Sequence, residues 1–290
     1  MKHRLPRHSA PMQPKQMLGI LLRRVASITL IGAAAIVCSA AGAQGKADDG
    51  LAVGRQMLAE DNPGELWVER GKALFLQKRG PRNVSLERCD FGLGPGVVKG
   101  VFAQLPRYFP DTNKVQDLES RLLTCMVELQ GLKADDIVRA RFSTLDRDSD
   151  MEALVSYIGA QSNGMRMNVR LEHPSERAMF KAGEYLFYRR NGPLDFACAT
   201  CHSEAGKRIR LQDLPNMTNA AEMQATIATG WPAYRGTHST VRTMQHRLYD
   251  CGWQMRLPDL GFTSDMSVAI TTYLNHSAND GLISLPGVRR

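Results

Sequence analysis

The feature that most constrains this chain is the pentapeptide Cys198-Ala-Thr-Cys201-His202, in which a histidine directly follows two cysteines three positions apart. On one helical turn, this spacing brings both thiols and the imidazole toward the same side. The pattern is typical of covalent attachment of a c-type haem, with two thioether bonds and the histidine as an axial iron ligand. A pair of buried thiols beside an unrelated histidine and a redox-active dithiol are the alternatives. The dithiol is disfavoured because the flanking residues do not show a βαβ pattern.

The first 43 residues have the composition of a secretory signal peptide. They contain no acidic residue and six basic ones: Lys2, Arg4, Arg7, Lys15, Arg23 and Arg24. An apolar run from Val25 to Val37 follows, and then the small-residue sequence Ala41-Gly42-Ala43, which is typical of a cleavage site. The apolar run is too short to span a bilayer. We therefore expect export to the periplasm, cleavage near Ala43 and no membrane attachment of the mature chain.

Removal of this leader changes the charge balance. The whole chain has 37 basic and 29 acidic residues, which gives a formal net charge of +8. Because six basic residues and no acidic residue lie in the leader, the mature chain has a net charge of only +2. The sequence of the mature chain has no basic stripe with interleaved aromatic residues, which is the pattern typical of nucleic-acid binding. The sequence predicts no nucleic-acid partner.

The mature chain contains an internal repeat. The matching pairs are Gly71 and Cys89 with Gly183 and Cys201, each 18 residues apart, and Tyr108 and Cys125 with Tyr234 and Cys251, each 17 residues apart. Each half ends in an apolar helical pattern, at residues 151–158 and 266–274, and strand signals are few. We therefore predict a mainly α fold with two cytochrome c-like domains related by internal duplication. The expected boundaries are an N-terminal arm at 44–65, a first domain at 66–165 and a second domain at 166–290.

The first half lacks the residues that attach a haem. The repeat aligns Leu86-Glu-Arg-Cys89-Asp90 with the haem motif, so Leu86 replaces one thioether cysteine and Asp90 replaces the histidine ligand. The sequence therefore predicts a first domain without haem and one haem in the whole chain. Cys89 and Cys125 would then lie on opposite sides of the missing haem pocket, free to form a disulfide in an oxidising compartment. Two separate thiols are the alternative.

The sixth position on the iron has two kinds of candidate. Methionine is a common ligand in cytochromes c, and five methionines follow His202: Met217, Met223, Met244, Met255 and Met266. Cys251 is the other candidate, because it is the cysteine left over and because the repeat aligns it with Cys125. A residue that faces Cys89 in one half should face the haem in the other.

Arg247 precedes Cys251 by four residues, so on a helix the two side chains share a face. A cation beside a thiol lowers the pKa of the thiol and favours the thiolate, and a guanidinium also offers a fork of donors to an oxyanion. A solvated surface charge is the alternative interpretation of Arg247. The neighbouring His246 is expected at the surface or the pocket edge. Trp231 and Trp253 are expected to pack against the haem.

Taken together, these residues resemble the SoxA family, the haem subunits of the SoxAX cytochromes of bacterial thiosulfate oxidation. The most specific part is the segment His246-Arg247-Leu-Tyr-Asp-Cys251-Gly-Trp-Gln-Met, and the likeness covers nearly all of the mature chain. Some members of the family have haem motifs in both halves. This chain departs from those members at Leu86 and Asp90. It is similar to the type with one haem, in which a disulfide replaces the first haem.

The resemblance implies an L-cysteine S-thiosulfotransferase. In this reaction thiosulfate is oxidatively joined to a cysteine of the carrier SoxYZ. The resemblance implies that Cys251 is both the distal iron ligand and, as a thiolate or persulfide, the sulfur nucleophile. It also implies that Arg247 binds the substrate and that a small cytochrome partner, SoxX, accepts the electrons through its own haem.

Two other functions fit parts of the sequence. An electron-transfer cytochrome c with His/Met ligation would need neither Cys251 nor Arg247, and a thiolate ligand would lower the iron potential in a way that suits a carrier poorly. A thiosulfate dehydrogenase that produces tetrathionate would share a His/Cys haem. Two attached haems are expected in that enzyme, and this chain has one Cys-x-x-Cys-His motif.

Overall fold

The computed structural model of the chain describes residues 60–209 and 212–289. The predicted signal peptide and residues 44–59 of the predicted arm lie outside the described residues. The first half begins with helix α1 (Glu65–Leu76) and continues with the strands β1 (Arg107–Phe109) and β2 (Lys114–Gln116) and the helices α2 (Leu118–Glu128), α3 (Ala134–Arg139) and α4 (Asp150–Ala160).

The second half repeats the order of a long helix, a hairpin and further helices. Its helices are α5 (Pro174–Tyr188), α6 (Cys198–His202), α7 (Ala220–Ala228), α8 (Met244–Gln254) and α9 (Asp265–Ser277). Its strands are β3 (Arg208–Ile209), β4 (Gln212–Asp213), β5 (Ala233–Arg235), β6 (Thr240–Arg242) and β7 (Gly287–Arg289).

Each three-residue hairpin leads directly into a capped helix. Strands β1 and β2 pair antiparallel, as do β5 and β6, and β7 adds to β5 in parallel. At the start of α2, the side chain of Asp117 accepts a hydrogen bond from the Ser120 amide at 2.9 Å. At the start of α8, the Thr243 hydroxyl accepts one from the His246 amide at 3.3 Å. These caps satisfy amide groups that a helix leaves free at its N-terminus, so both helices begin at the end of a hairpin.

The main helices of each half cross at a glycine. A Cβ on Gly71 of α1 would lie 1.9 Å from the carbonyl oxygen of Ala153 in α4. A Cβ on Gly183 of α5 would lie 1.9 Å from the carbonyl oxygen of Ala269 in α9. No side chain fits at either position, so the backbones approach more closely than any other residue would allow.

The core of the first half closes around a disulfide. Cys89 and Cys125 are bonded, with their Cα atoms 5.7 Å apart, and they are 0% and 4% exposed. Phe75, Leu86 and Phe91 pack in the same buried cluster. The bond therefore ties the loop before the first hairpin to the middle of α2 at the centre of the apolar core.

Buried polar side chains connect the first half to the start of α8. The Glu119 carboxylate accepts a hydrogen bond from the Thr243 hydroxyl at 2.7 Å and another from the Gln245 amide at 3.2 Å. His246 Nδ1 lies 2.6 Å from the Glu152 carboxylate, and the two residues are 5% and 0% exposed. The expectation that His246 lies at the surface or the pocket edge is wrong, because its ring turns toward the first half and pairs with a carboxylate there.

The mainly helical fold class is confirmed. The predicted helical patterns at residues 151–158 and 266–274 lie within α4 and α9. The described residues also contain three small sheets of two or three short strands, which the sequence only weakly indicated. Within residues 60–209 and 212–289, no helix combines the length and the apolar character needed to cross a bilayer.

Candidate functional site

The second half contains a cavity of about 390 Å³, within the range of small-molecule and cofactor sites. Side chains from α6, α8, β5 and β7 contribute to its wall. Its lining includes Cys198, Cys201, His202, Arg247 and Cys251. One cavity therefore brings together the haem motif, Arg247 and Cys251.

The short helix α6 presents the haem motif to this cavity. Its first turn is held by the Thr200 hydroxyl, which accepts a hydrogen bond from the Ala197 amide at 2.9 Å. Cys198 and Cys201 are free thiols and are partly buried. Burial raises the pKa of the Cys198 thiol to about 12, with a further contribution from Cys251, so this thiol is uncharged.

The imidazole of His202 is oriented for a metal ligand. Its Nδ1 donates a hydrogen bond to the carbonyl oxygen of Pro215 at 3.0 Å, since a carbonyl can only accept. This bond leaves the lone pair of Nε2 free, which is the arrangement that ligating histidines adopt. Burial lowers the pKa of His202 and keeps the ring neutral. The histidine therefore fits an axial ligand of haem iron.

Cys251 lies in the middle of α8 and is partly buried. Burial is the largest influence on its thiol and raises its pKa, while the charge of Arg247 lowers it and the charge of Asp250 raises it. As expected, the charge of Arg247 by itself lowers the pKa of the Cys251 thiol and so favours the thiolate. The expectation of a lowered pKa is wrong for the protein without haem, because desolvation outweighs the cation.

Arg247 is a wall residue of the cavity and not a solvated surface charge. Its guanidinium carbon lies 5.8 Å from the centre of the Trp231 ring, within the range of a cation–π contact. Among the described residues, no carboxylate lies within ion-pair distance of Arg247. The side chain therefore keeps its donors available for a ligand, and its distance from Cys251 along α8 is one helical turn.

The other candidates from the sequence divide into two groups. Met217, Met244 and Met255 line the cavity, whereas Met223 packs in the core and Met266 is 43% exposed away from it. Trp231 also lines the cavity. The expectation for Trp253 is wrong, because its side chain is 54% exposed and is not part of the lining.

Sequence reasoning missed two arginines of the cavity wall, Arg235 on β5 and Arg289 on β7. The two residues are direct partners in the parallel pairing of these strands. Burial lowers the pKa of Arg235 to about 10, with further lowering from the charge of Arg247. The same two causes lower the pKa of Arg289. A pairing between residues that are 54 positions apart along the chain leaves no local signal, so neither arginine could be found from its neighbours in sequence.

The chain is similar to known proteins over most of its length. Residues 70–167 match the family described as SoxA/TsdA, cytochrome c domain. The chain is 45% identical to the L-cysteine S-thiosulfotransferase subunit SoxA of Hydrogenophilus thermoluteolus over 236 residues, which cover 81% of this chain and 86% of that protein. It is 34% identical to a protein of the same name from Hydrogenobacter thermophilus, over 78% of this chain and 83% of that protein.

A solved structure has a similar fold. The crystal structure of SoxXA from P. pantotrophus superposes with a TM-score of 0.66 and 27% sequence identity. The superposition covers 82% of this chain and 83% of that one. The likeness therefore extends over both halves and is not limited to the haem motif.

Proposed function

The chain belongs to the SoxA family of L-cysteine S-thiosulfotransferase subunits, and on that premise we propose that it binds one haem and joins thiosulfate to a cysteine of a SoxYZ carrier. The observation that carries this proposal is the shared cavity, in which Cys251 and Arg247 lie with the haem motif. An electron-transfer cytochrome has no use for a buried thiol beside an unpaired arginine at its iron.

The proposed reaction balances as an oxidation. The Cys251 thiolate and the outer sulfur of thiosulfate would form an S–S bond as two electrons leave, and the thiol of the carrier would then attack that outer sulfur, release its proton and displace the Cys251 thiolate. The product is a cysteine S-thiosulfonate on the carrier. A SoxX-like cytochrome that pairs with this chain would take up the electrons.

Four residues would hold the haem. Cys198 and Cys201 would form the thioether bonds, and His202 and Cys251 would bind the iron. When bound, the haem would supply a one-electron acceptor. Cys251, as a thiolate or persulfide, would be the sulfur nucleophile, and the guanidinium of Arg247 would bind and orient the anionic oxygens of thiosulfate.

The first half supports this role for Arg247 by contrast. Its matching arginine, Arg121, is fully engaged within the protein: Nε donates to the Asp90 carbonyl oxygen at 2.6 Å, and Nη1 donates to Asp111 at 2.7 Å. Arg247 has no such partners among the described residues. The half with the haem motif therefore leaves free the arginine that the other half uses as a structural residue.

We further propose that the first half is a cytochrome c-like domain that holds no haem. Leu86 is 0% exposed, so the position of the missing cysteine is filled by core packing. The Asp90 carboxylate accepts hydrogen bonds from the amides of Gly92 at 2.6 Å and Gly94 at 3.0 Å, which uses it in a turn. The bond between Cys89 and Cys125 joins the two positions that would face a haem. The mass of the exported protein should therefore exceed that of its polypeptide by a single haem.

Internal duplication is supported by the same elements. The crossings at Gly71 and Gly183 have the same 1.9 Å approach to a carbonyl oxygen, and each is followed by a hairpin and a capped helix. Residues 161–173 connect α4 to α5 and contain no helix or strand. This connection is consistent with a first domain at 66–165 and a second at 166–290, after an arm at 44–65.

The periplasm is the proposed location. The basic and apolar leader of residues 1–43 and the Cys89–Cys125 disulfide both suit an oxidising compartment outside the cytoplasm. N-terminal sequencing of the protein from a periplasmic fraction should begin at Gln44. A mature chain that retains Val25 to Val37 would contradict the proposed cleavage.

The decisive experiment replaces the proposed nucleophile. Cys251→Met should retain covalent haem, since the thioether cysteines are untouched, and should move the spectrum and potential toward those of a His/Met haem. Transfer of thiosulfate to the carrier should be lost, because a thioether cannot form the S–S bond that a thiolate forms. The matched control is Met255→Leu, a substitution of similar volume in the same cavity wall, which should leave electron paramagnetic resonance and turnover unchanged.

The opposite pattern identifies the competing function. If Met255→Leu, or the same change at Met217 or Met244, alters the iron spectrum while Cys251→Met does not, the protein is a His/Met electron carrier. Normal transfer by Cys251→Met would remove this cysteine from the mechanism. Both measurements use the haem-loaded protein with its carrier and cytochrome partners.

A further inference from the structure

We propose that Arg235 and Arg289 are substrate-binding residues that, together with Arg247, receive the sulfonate oxygens of thiosulfate in the cavity beside Cys251. This inference rests on the proposed function. It extends that function to the part of the cavity wall that β5 and β7 form. It assigns the recognition of the dianion to three arginines from three different elements: β5, β7 and α8.

The strand pairing places two of these cations together. Arg235 and Arg289 are partners in the parallel pairing of β5 with β7, and both line the cavity. A Cβ at Gly230 would lie 1.9 Å from the Thr226 carbonyl oxygen and 2.6 Å from Nη2 of Arg289, so no side chain fits at this position beside Arg289. Neighbouring cations that are partly desolvated destabilise the folded protein unless an anion joins them.

The carboxylates near these arginines are already engaged. Asp250 forms an ion pair with Arg242. Of the acidic residues in the cavity wall, Asp213 lies 3.0 Å from Arg208, and Glu222 accepts a hydrogen bond from the Asn216 amide at 2.7 Å.

The guanidinium groups of Arg235, Arg247 and Arg289 have no carboxylate partner within the part of the chain that the structure describes. Nε of Arg235 is also buried and has no hydrogen-bond partner there. A buried donor without a partner costs free energy, so a ligand that supplies acceptor oxygens would satisfy it.

The matching position of the first half shows what the second half has gained. By the repeat, Arg235 corresponds to Phe109, whose ring centre lies 4.1 Å from the guanidinium carbon of Arg121. The first half thus covers its arginine with an apolar ring. The second half has a second cation at that place, next to Arg247, where charge repulsion would disfavour it without a ligand.

Anionic oxygens could come from thiosulfate or from the carboxylate groups of the haem. Arg235 and Arg289 line the same cavity as Arg247 and Cys251, the two residues at which thiosulfate is proposed to bind and react. This placement favours the substrate. The two sources differ in their consequences, because only contact with haem carboxylates links an arginine to haem retention and potential.

The test compares Arg235→Gln and Arg289→Gln with Arg256→Gln, which removes the same charge from an exposed residue outside the cavity wall. The KM for thiosulfate should rise about tenfold to a hundredfold in each cavity variant, as for the loss of a charge-assisted hydrogen bond. The haem content, the Soret spectrum and the midpoint potential should stay at wild-type values. Inhibition by inorganic sulfate should weaken in parallel. The control should change none of these quantities.

Arg235→Lys keeps the charge and loses the fork of guanidinium donors, so it should raise KM by a smaller factor. This variant replaces Arg235→Gln in the test if the glutamine variant does not fold. An unchanged KM in the cavity variants would overturn the inference. So would a shifted potential or lost haem at unchanged KM, which would assign the arginines to the haem carboxylates. If the wild-type protein transfers no thiosulfate, the proposed function fails separately. In that case, the degree to which thiosulfate protects Cys251 from an alkylating reagent would still report whether the arginines bind the anion.

Discussion

Removal of the disulfide at the centre of the first half should destabilise the protein without touching its haem. The bond closes a loop of 36 residues. The loss of loop-closure entropy in the unfolded chain is worth about 3 to 4 kcal/mol for a loop of this length. In the double variant Cys89→Ala/Cys125→Ala, the two buried sulfur atoms also leave small voids, at about 1 kcal/mol each. The free energy of unfolding should fall by about 5 kcal/mol in total.

Urea unfolding followed by far-ultraviolet circular dichroism measures this difference. For a protein of this size, a loss of about 5 kcal/mol corresponds to a fall in Tm of roughly 10 to 20 °C. Leu145→Ala is the control, because this side chain is 92% exposed in the same half and its removal should change stability by less than about 0.5 kcal/mol. The Soret spectrum of the double variant should equal that of the wild type, since neither cysteine lines the cavity.

Two results would refute this reasoning. A loss below about 1 kcal/mol would mean that the unfolded chain gains little freedom when the bond is absent. A changed haem spectrum in the folded double variant would mean that the first half acts on the haem more directly than the contacts at α8 suggest.

Three further predictions follow from close contacts in the second half and at its boundary. Gly183→Ala should cost about 3 kcal/mol or more in thermal unfolding, because its Cβ would meet the Ala269 carbonyl oxygen at 1.9 Å; the helical control Gly252→Ala, whose nearest neighbour is 4.0 Å away, should gain about 0.5 to 1 kcal/mol. Arg247→Lys should lower kcat/KM at least about tenfold with an unchanged Soret spectrum, and wild-type turnover would contradict the role of the guanidinium fork. Burial raises the pKa of Glu119 well above 4.5, so the stability that this group contributes to the wild type is present at low pH and is lost as pH rises toward the raised pKa. The Tm of Glu119→Gln relative to wild type should therefore increase with pH above about 4.5. A difference in Tm that does not depend on pH would exclude this cause.

Local chemistry explains which parts of the site could be predicted. The haem motif from Cys198 to His202 can be recognised from the sequence because its residues lie on one helical turn and need no distant partner. Cys251 also required the repeat, since the alignment with Cys125 gave the leftover cysteine a place opposite the haem motif. Arg247 then followed from its position four residues before Cys251. The short strands carry Arg235, but three residues are too few for a recognisable alternation of apolar and polar side chains.

Long-range contacts explain what could not be predicted. His246 is one position before Arg247, yet its ring points toward the first half, where it pairs with the Glu152 carboxylate. Neighbouring residues of a helix lie about a quarter-turn apart, and sequence alone does not say which side of the helix another domain covers. The raised pKa of Cys251 has a similar origin, because desolvation depends on all the residues that surround the thiol and not only on the cation one turn away.

The contacts of Glu119 and Glu152 with α8 also limit how proteins of this kind can be recombined. The helix that carries Arg247 and Cys251 is capped and positioned partly by carboxylates that belong to the other half. A chimera that takes residues 60–165 from a distant relative would inherit a different set of acceptors for the start of this helix. Such a chimera would leave Thr243 and His246 buried without partners, unless compensating substitutions on both sides of the boundary were transplanted together.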